Sequence, residues 1–353
     1  MSQSPLRIAL FNETRALGHH GCSLVSRRIH TLAARHDMVV HHAVAGDGDG
    51  RAERYIADCD LVLVNGEGSI HSSNHNAHRL TALAPLARQH GKPAILLNAL
   101  YQGNDASIAE ATRSFDAIWV RDQISQSELA DHGLEATVVP DLTLSHKMPS
   151  LQERPYTQAE ADKQLVITDS TLRNKSRALY DLYRRQNAAQ PGSAAFLPFK
   201  ARPPLMHTKP DYGLRRRIGF EAKYAGSRLW PAPSYSRDRY RFIIPDLDQC
   251  LGYLHHRASG VIAGRFHALC MALVLGVPVM AVGSNTRKIE PLLAAAGLQD
   301  RLLPHLPDSI GSVPDYTPAE QTARLAFLAD CQSRADQMFK KVAQIARVTN
   351  DHA

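Results

Sequence analysis

Residues 259–282 read SGVIAGRFHALCMALVLGVPVMAV, and this stretch decides the fold class. Its apolar run at 260–264 predicts a buried strand, and a second run at 278–282 predicts another. The segment between them, 266–275, is apolar on every face and therefore predicts a buried helix. Apolar strands joined by a helix are typical of a parallel sheet that is covered on both faces.

The same alternation extends over most of the chain. The N-terminal half predicts strands at 7–12, 38–44, 60–65, 93–99, 117–120 and 136–139, with helices at 22–35, 77–90 and 125–132. The C-terminal half adds strands at 164–168 and 194–199, and helices at 173–185, 246–258, 288–296 and 318–348. Regular alternation of this kind predicts Rossmann-like folds.

The periodicity lapses at residues 146–162, where Pro, Ser and charged residues predict a linker. The expected fold class is therefore α/β, with two Rossmann-like domains that face a central cleft. The first domain is predicted at 1–145 and the second at 163–353, with a basic, aromatic insert at about 173–241 and a long C-terminal helix. In such folds ligands bind at the carboxyl ends of the strands, so the loops after strands are where chemistry is expected.

Composition excludes several classes of protein. With 44% hydrophobic and 21% charged residues, the 353-residue chain has an ordinary globular composition. The longest uncharged stretch, 268–286, is interrupted by glycines and a proline and does not predict a membrane span. The N-terminus MSQSPLR lacks the pattern of a secretory signal, so a cytoplasmic location is expected. Five scattered cysteines predict free thiols, and no metal site or cofactor is expected.

The positive charge is concentrated in one segment. The chain carries a formal charge of +7, but residues 173–241 alone hold 16 basic and 4 acidic residues, a net charge of +12. The remainder is therefore acidic, at −5, and no nucleic-acid recognition motif accompanies the segment, so nucleic acid is not expected as a partner. We interpret the segment as a surface for an anionic, lipid-linked glycan or for peripheral contact with the inner face of a membrane.

Candidate site residues of the second domain follow its strands. Arg265 and His267 follow the strand at 260–264 and flank Phe266, so both can face a site while the aromatic ring turns inward. Asn285 and Lys288 follow the next strand and add further hydrogen-bond donors. The structural alternative is that Arg265 and His267 only satisfy backbone carbonyls at a buried helix entry.

Two loops of the first domain carry further candidates. Asn12 begins a glycine-containing loop that opens onto a helix N-terminus, where backbone amides can bind an anion. Arg121 follows the fifth strand and is suited to a bidentate contact with a carboxylate or phosphate. The alternatives are a helix entry without a ligand for the first loop and a surface ion pair with Asp122 for Arg121.

A third loop is predicted at residues 65–71, NGEGSIH, directly after the third strand. Gly66 and Gly68 let the backbone approach a ligand closely, while Glu67 and His71 supply groups for proton transfer. Ser69 is a further candidate for substrate binding. The alternative is a tight turn in which Glu67 caps the next helix.

Taken in order along the chain, these motifs resemble those of the polysaccharide pyruvyl transferase family. The resemblance covers residues 12–293 and rests on the segments GRFHA at 264–268, LGVP at 275–278, VNGEGS at 64–69 and VRD at 120–122, with Asn12, Gly21, Ser125 and Lys288. The family usually carries further glycines where this chain has Glu67, which indicates a divergent member. The resemblance implies a fold similar to two-domain (GT-B) glycosyltransferases.

The resemblance also implies a reaction. Members transfer a pyruvyl group from phosphoenolpyruvate to sugar hydroxyls and form a ketal, here on a bacterial-type surface polysaccharide or lipid-linked glycan. The family's R-x-H arginine and histidine correspond to Arg265 and His267, and its first-domain arginine corresponds to Arg121. Phosphoenolpyruvate, an anionic small-molecule donor, carries a carboxylate and a phosphate for the two arginines, and His267 is suited to general acid catalysis.

A second hypothesis is a two-domain glycosyltransferase that uses a nucleotide sugar. In that case Glu67 is the general base on an acceptor hydroxyl, and basic residues of the second domain hold the nucleotide.

Overall fold

The computed structural model describes residues 4–48, 50–147, 163–203, 205, 210–229, 234–283 and 286–351. Within these residues two separate parallel sheets are each flanked by helices, which confirms the predicted α/β class with two Rossmann-like domains. Most of the predicted linker, 148–162, lies outside the described residues. No helix in the described part of the chain combines the length and apolarity needed to cross a bilayer.

The N-terminal sheet has six strands in the order β2-β1-β3-β4-β5-β6, all parallel. The strands are β1 (Leu6–Phe11), β2 (Met38–Val44), β3 (Leu61–His71), β4 (Ala94–Gln102), β5 (Ala117–Val120) and β6 (Thr137–Val138). The helices are α1 (His20–Arg35), α2 (Ala52–Ala57), α3 (His75–Thr81), α4 (Leu83–Gln89), α5 (Ala106–Thr112) and α6 (Gln123–Asp131). Short 3-10 turns follow β1 at Thr14–Leu17 and β6 at Leu142–Ser145.

The C-terminal sheet has five parallel strands in the order β11-β10-β9-β7-β8. The strands are β7 (Gln164–Thr168), β8 (Ala194–Leu197), β9 (Ala258–Ala263), β10 (Val279–Val282) and β11 (Leu302–Leu303). The helices are α7 (Arg173–Ala189), α8 (Pro210–Leu229), α9 (Tyr235–Arg241), α10 (Leu247–Arg257), α11 (Phe266–Leu275), α12 (Ile289–Ala295) and α13 (Pro318–Asp351). As predicted, α11 is buried along its whole length.

One predicted loop is wrong. Residues 65–71 were expected to leave the sheet, but β3 continues through them and pairs with β4, Glu67 opposite Ala99 and Ile70 opposite Tyr101. A bulge between those two pairs shifts the register, and Glu67 itself has φ +37°. A bulge lets a strand absorb irregular residues without ending, which the glycine-rich sequence does not reveal.

Helix boundaries differ where local backbone chemistry intervenes. The predicted helix 77–90 is two helices, α3 and α4, that meet at Ala82. Pro85 lies in the first turn of α4, where it needs no N–H donor, whereas within one continuous helix it would clash with the carbonyl four residues earlier. The first part of the basic segment forms α7 and β8, a regular helix and strand of the C-terminal domain. Only the part after residue 200 departs from the βα alternation.

The final helix α13 contacts both domains. Its first half contributes Leu328 and Cys331 to the core around α11, in the C-terminal domain. Its second half contributes Met338, Phe339 and Val342 to the core beneath the N-terminal sheet. One continuous helix therefore crosses from one domain to the other, and its burial stabilises their relative position.

The close approach of β3 and β4 at Gly66 gives a stability prediction. A Cβ at this position would lie 2.7 Å from Cα of Ala99 and would overlap its methyl group. Gly66→Ala should therefore lower the free energy of unfolding by about 1–3 kcal/mol, measured by urea titration. Gly226→Ala, in α8 with open space around it, should leave stability unchanged or raise it by up to about 1 kcal/mol. Equal effects of the two substitutions would contradict this account.

Candidate active site

A buried ion pair fixes an arginine at the carboxyl edge of the N-terminal sheet. Arg121 follows β5, and its Nη1 donates to Oδ2 of Asp141 at 3.0 Å. Asp141 is 2% exposed, and its Oδ1 also accepts hydrogen bonds from the backbone N–H and the hydroxyl of Thr143. Nε of Arg121 is buried and has no hydrogen-bond partner among the described residues. The ion pair thus holds the guanidinium in place and leaves a donor for a ligand.

The carboxyl group of Asp141 stays ionised although it is buried. Burial alone would raise its pKa, but His267 and Arg121 outweigh burial and hold the pKa well below its usual range. At neutral pH the N-terminal domain therefore presents an ionised carboxylate that lies between the guanidinium of Arg121 and the imidazole of His267.

The C-terminal sheet has an equivalent pair. Arg265 follows β9, and its Nε and Nη2 donate to the two carboxylate oxygens of Asp169 at 2.8 and 2.6 Å. Asp169 follows β7, is 2% exposed and also accepts the backbone N–H of Phe199 at 2.9 Å. Burial would raise the pKa of Asp169, but the charge of Arg265 outweighs it and lowers the pKa. The bidentate contact orients Arg265 and leaves its Nη1 outside the pair.

His267 lies in the first turn of α11 and faces the N-terminal domain. Its Nε2 is 3.7 Å from Oδ2 of Asp141, which is within ion-pair range but too long for a hydrogen bond. This nitrogen is buried without a hydrogen-bond partner in the described part of the chain. A Cβ on Gly21 would overlap the imidazole ring, so only glycine lets the first turn of α1 lie against it. The ring is held between two helix N-termini with Nε2 available for proton transfer.

Lys288 adds a third cation from the loop before α12. Burial, followed by the charges of Arg121 and Arg265, lowers the pKa of Lys288 to about 8. The ring of Phe266 lies near two of these cations, with its centroid 5.0 Å from Cζ of Arg121 and 5.9 Å from Nζ of Lys288. A cavity of about 500 Å³ is lined by Arg121, Asp141, Phe266 and Lys288 among others. Cationic side chains of both domains therefore converge on one space.

Glu67 is buried and fully engaged. It is 6% exposed, its Oε1 accepts hydrogen bonds from the hydroxyl of Thr14 at 2.5 Å and Nδ2 of Asn65 at 3.0 Å, and its Oε2 accepts the thiol of Cys22 at 3.4 Å. These partners come from the loop after β1, from β3 and from α1. The carboxylate thus ties three elements together at the edge of the sheet.

The neighbouring candidates of the first domain, Asn12, Ser69 and Gly68, lie near Glu67 or near Arg121. Nδ2 of Asn12 donates to the carbonyl of Asn65 at 2.6 Å and to the hydroxyl of Ser69 at 3.2 Å, so these residues extend the network around Glu67. A Cβ on Gly68 would lie 3.5 Å from Nη2 of Arg121, which connects this network to the cations.

The structure thus brings together Arg121, Arg265, His267 and Lys288, all four of which the sequence singled out. Burial and then the charge of Lys288 lower the pKa of His71. Gly66 packs on Ala99. Asn285 lies outside the described residues. The roles of these residues in binding and catalysis remain predictions.

Sequence reasoning missed Thr14 and, near the converging cations, Asp169 and His19. Asp169 directly follows a buried strand, as Arg121 does, and this was the available signal. Nδ1 of His19 lies 3.1 Å from the carbonyl oxygen of Phe199. Burial and then the charge of Arg265 lower the pKa of His19 to about 4, so its ring is neutral beside the cations at neutral pH.

Other features lie outside this group. Among the described residues, His41, His42 and Asp58 are close enough together to share a metal ion, but they are at the surface on and near the edge strand β2. Nη1 of Arg7 lies 3.4 Å from Asp58 and competes with any cation there. A cavity of about 1140 Å³ lies between α13 and the β5–β6 edge, and none of the converging cations lines it.

Comparison with known proteins identifies the family. The sequence model described as polysaccharide pyruvyl transferase matches residues 11–286. Among proteins with curated functions none matches the chain. The fold is similar to S. aureus MnaA in complex with UDP (12% identity, TM-score 0.47, 96% of this chain and 91% of that one). It is also similar to an α,α-trehalose-phosphate synthase (UDP-forming) from Burkholderia vietnamiensis (13% identity, TM-score 0.41, 94% and 81%).

The pKa of Lys288 predicts how anion binding depends on pH. A pKa lowered to about 8 means that the ammonium charge is present below pH 8 and lost above it. The affinity for sulfate, whose own charge is constant over this range, should therefore fall as the pH rises through about 8, measured by isothermal titration calorimetry. Lys288→Arg keeps its charge and should abolish this step, whereas Lys340→Arg on the exposed face of α13 should follow the unmodified protein. Identical pH profiles for Lys288→Arg and the unmodified protein would refute the assignment.

Proposed function

We propose that this chain, which belongs to the polysaccharide pyruvyl transferase family, transfers the pyruvyl group of phosphoenolpyruvate to two hydroxyls of a sugar residue and forms a ketal. The observation that carries the proposal is the set of unpaired buried donors, Nε of Arg121 and Nε2 of His267, among three converging cations. Buried polar groups without partners are costly, and a ligand with two anionic groups would satisfy them.

The cations match the two charged groups of the donor. Phosphoenolpyruvate carries a carboxylate and a phosphate on adjacent positions of one small molecule. Arg121 and Lys288 both lie near the ring of Phe266, and Arg265 follows β9 in the C-terminal domain. Two carboxylates, Asp141 and Asp169, only partly offset the three cations, so the site keeps a net positive charge. In this proposal Arg121 and Lys288 bind one anionic group and Arg265 binds the other.

The proposed reaction has two steps. In the first, a proton adds to C3 of the enol phosphate while one sugar hydroxyl adds to C2, which forms a tetrahedral intermediate. In the second, the other hydroxyl displaces phosphate from C2 and closes the ketal ring. The two sugar hydroxyls release two protons. One balances the proton added to C3 and the other leaves with phosphate, so no external oxidant or reductant is needed.

In this proposal His267 carries out the proton transfers. Its unpaired Nε2 can donate to C3 and then recover a proton from the attacking hydroxyl, and the ionised Asp141 at 3.7 Å stabilises positive charge on the ring. The three cations stabilise the negative charge that develops on the departing phosphate. Protein side chains thus supply both the acid and the electrostatic stabilisation.

The role of His267 predicts a specific kinetic change. His267→Asn should lower kcat for phosphate release from phosphoenolpyruvate by about 10²- to 10⁴-fold, with little change in KM for the donor. His78→Asn on the exposed surface of α3 is the matched control and should behave as the unmodified protein. Phosphate release is measured with a panel of glycan acceptors, and the ketal methyl group is detected by proton NMR. If nucleotide sugars raise the thermal unfolding temperature of the protein and phosphoenolpyruvate does not, the proposal is overturned.

Glu67 separates this proposal from glycosyl transfer. Because its carboxylate is held by Thr14, Asn65 and Cys22, we assign it the role of positioning the loop after β1 rather than of a general base. Glu67→Gln keeps an acceptor oxygen for Thr14 and Asn65 and turns an amide toward the Cys22 sulfur. Its kcat should therefore fall by less than about tenfold, well short of the loss expected when a general base is removed. A much larger loss with donor binding retained would instead support Glu67 as the base.

A further inference from the structure

A second cationic pocket lies beside the proposed donor site. It has a volume of about 530 Å³ and is formed by the turn after β1, by α8 and α9, and by the segments that follow β8 and β9. Five positively charged residues line it, and none of the described lining residues carries a carboxylate: Lys200, Arg216, Lys223, Arg239 and Arg265. Four of these residues belong to the basic segment at 173–241, and the proposed donor site does not use them.

The charges in this pocket are concentrated around one aromatic ring. The centroid of the Tyr240 ring is 4.3 Å from Nζ of Lys200, 5.5 Å from Cζ of Arg239 and 5.9 Å from Nζ of Lys223. Burial followed by the charge of Arg239 lowers the pKa of Lys200. For Tyr240, burial would raise the pKa, but the three cations outweigh it and lower the pKa. The local potential is therefore strongly positive.

Of the nearby carboxylates, Asp169 pairs with Arg265 of the pocket, and two others are engaged away from it. Glu221 of α8 pairs with Arg202 and Arg217, at 2.9 and 2.8 Å. The buried Asp238 of α9 accepts the hydroxyl of Tyr180 at 2.5 Å. Like-charged side chains confined in one concave site repel one another unless an anion binds there. The arrangement is that of an anion site.

The pocket is distinct from the donor site but touches it. Arg265 and His19 line the pocket, and Arg265 also belongs to the converging cations of the donor site, whereas Arg121 and Lys288 do not line the pocket. Nη1 of Arg216 donates to the carbonyl of Ala16 at 2.8 Å, so α8 is joined to the turn that forms the opposite wall. A ligand here would lie next to a donor bound at Arg265.

We propose that this pocket binds a diphosphate group carried by the acceptor sugar, so that the sugar hydroxyls reach His267 while the diphosphate lies among Lys200, Lys223 and Arg239. The proposal rests on the function proposed above and names the acceptor class for the same site. A monophosphate would require fewer cations, and the pocket volume is within the range of sites that hold small organic ligands. The diphosphate could link the sugar to a lipid or to a nucleoside.

Binding of methylenediphosphonate to the full-length protein tests the proposal directly. Isothermal titration calorimetry should show binding both with and without saturating phosphoenolpyruvate. The double variant Lys223→Gln/Arg239→Gln should weaken binding by about tenfold or more, because two charge-assisted contacts are lost. The charge-matched control Arg215→Gln/Arg228→Gln removes two positive charges from α8 outside the pocket and should change affinity by less than about threefold. Thermal unfolding of both variants checks that they are folded.

The outcomes separate this inference from the proposed function. Equal methylenediphosphonate affinities for the two double variants, or displacement of the probe by phosphoenolpyruvate, would refute a diphosphate subsite even if the donor reaction is confirmed. Conversely, if the unmodified protein does not turn over phosphoenolpyruvate, only the donor assignment is contradicted. Farnesyl diphosphate and UDP, titrated in the same way, distinguish the sources, since tighter binding of one than of methylenediphosphonate identifies the attached group as lipid or nucleoside.

Discussion

The candidate site depends on two pairs of a guanidinium and a buried carboxylate, one at the carboxyl edge of each sheet. A guanidinium buried without a partner would be too costly to retain, and a freely rotating one would not hold a ligand in one orientation. Asp141 and Asp169 solve both problems, because each neutralises an arginine and fixes its plane. Both aspartates come from turns after parallel strands, so the fold supplies their positions. What remains unneutralised, Lys288 and the polar edge of His267, is then available to a ligand.

The two domains are joined at the candidate site itself. Gly21 allows α1 of the first domain to contact His267 of the second, and Arg121 lies over Phe266 across the cleft. Farther out, Nη1 of Arg27 pairs with Asp248 at 2.6 Å, and α13 contributes to the cores of both domains. The distances between the candidate site residues therefore depend on contacts between domains as much as on either sheet. A displacement of one domain would separate Asp141 from His267 while leaving both sheets intact.

Much of this arrangement follows from the sequence, for physical reasons that also explain the failures. Apolar strands and a helix apolar on all faces identify the two sheets, and Arg121 and Arg265 are found because each directly follows such a strand. The continuation of β3 through Glu67 was not predictable, because a bulge depends on pairing with β4 rather than on local residues. Asp169 was missed for a similar reason, since its importance comes from Arg265, which is 96 residues away in sequence. Local patterns predict elements and edges, whereas partners across the fold require the tertiary structure.

The distribution of charge gives the strongest argument that the basic segment serves binding. Its acidic residues could have neutralised the pocket, yet Glu221 pairs with cations outside it and Asp238 is buried against Tyr180. Cations that repel one another lower the stability of the folded chain, and Lys200, Lys223 and Arg239 all lie 4.3–5.9 Å from the centroid of the Tyr240 ring. Destabilising features of this kind persist where function needs them. The cations of this pocket thus lie beside Arg265, where they can recognise the proposed second substrate.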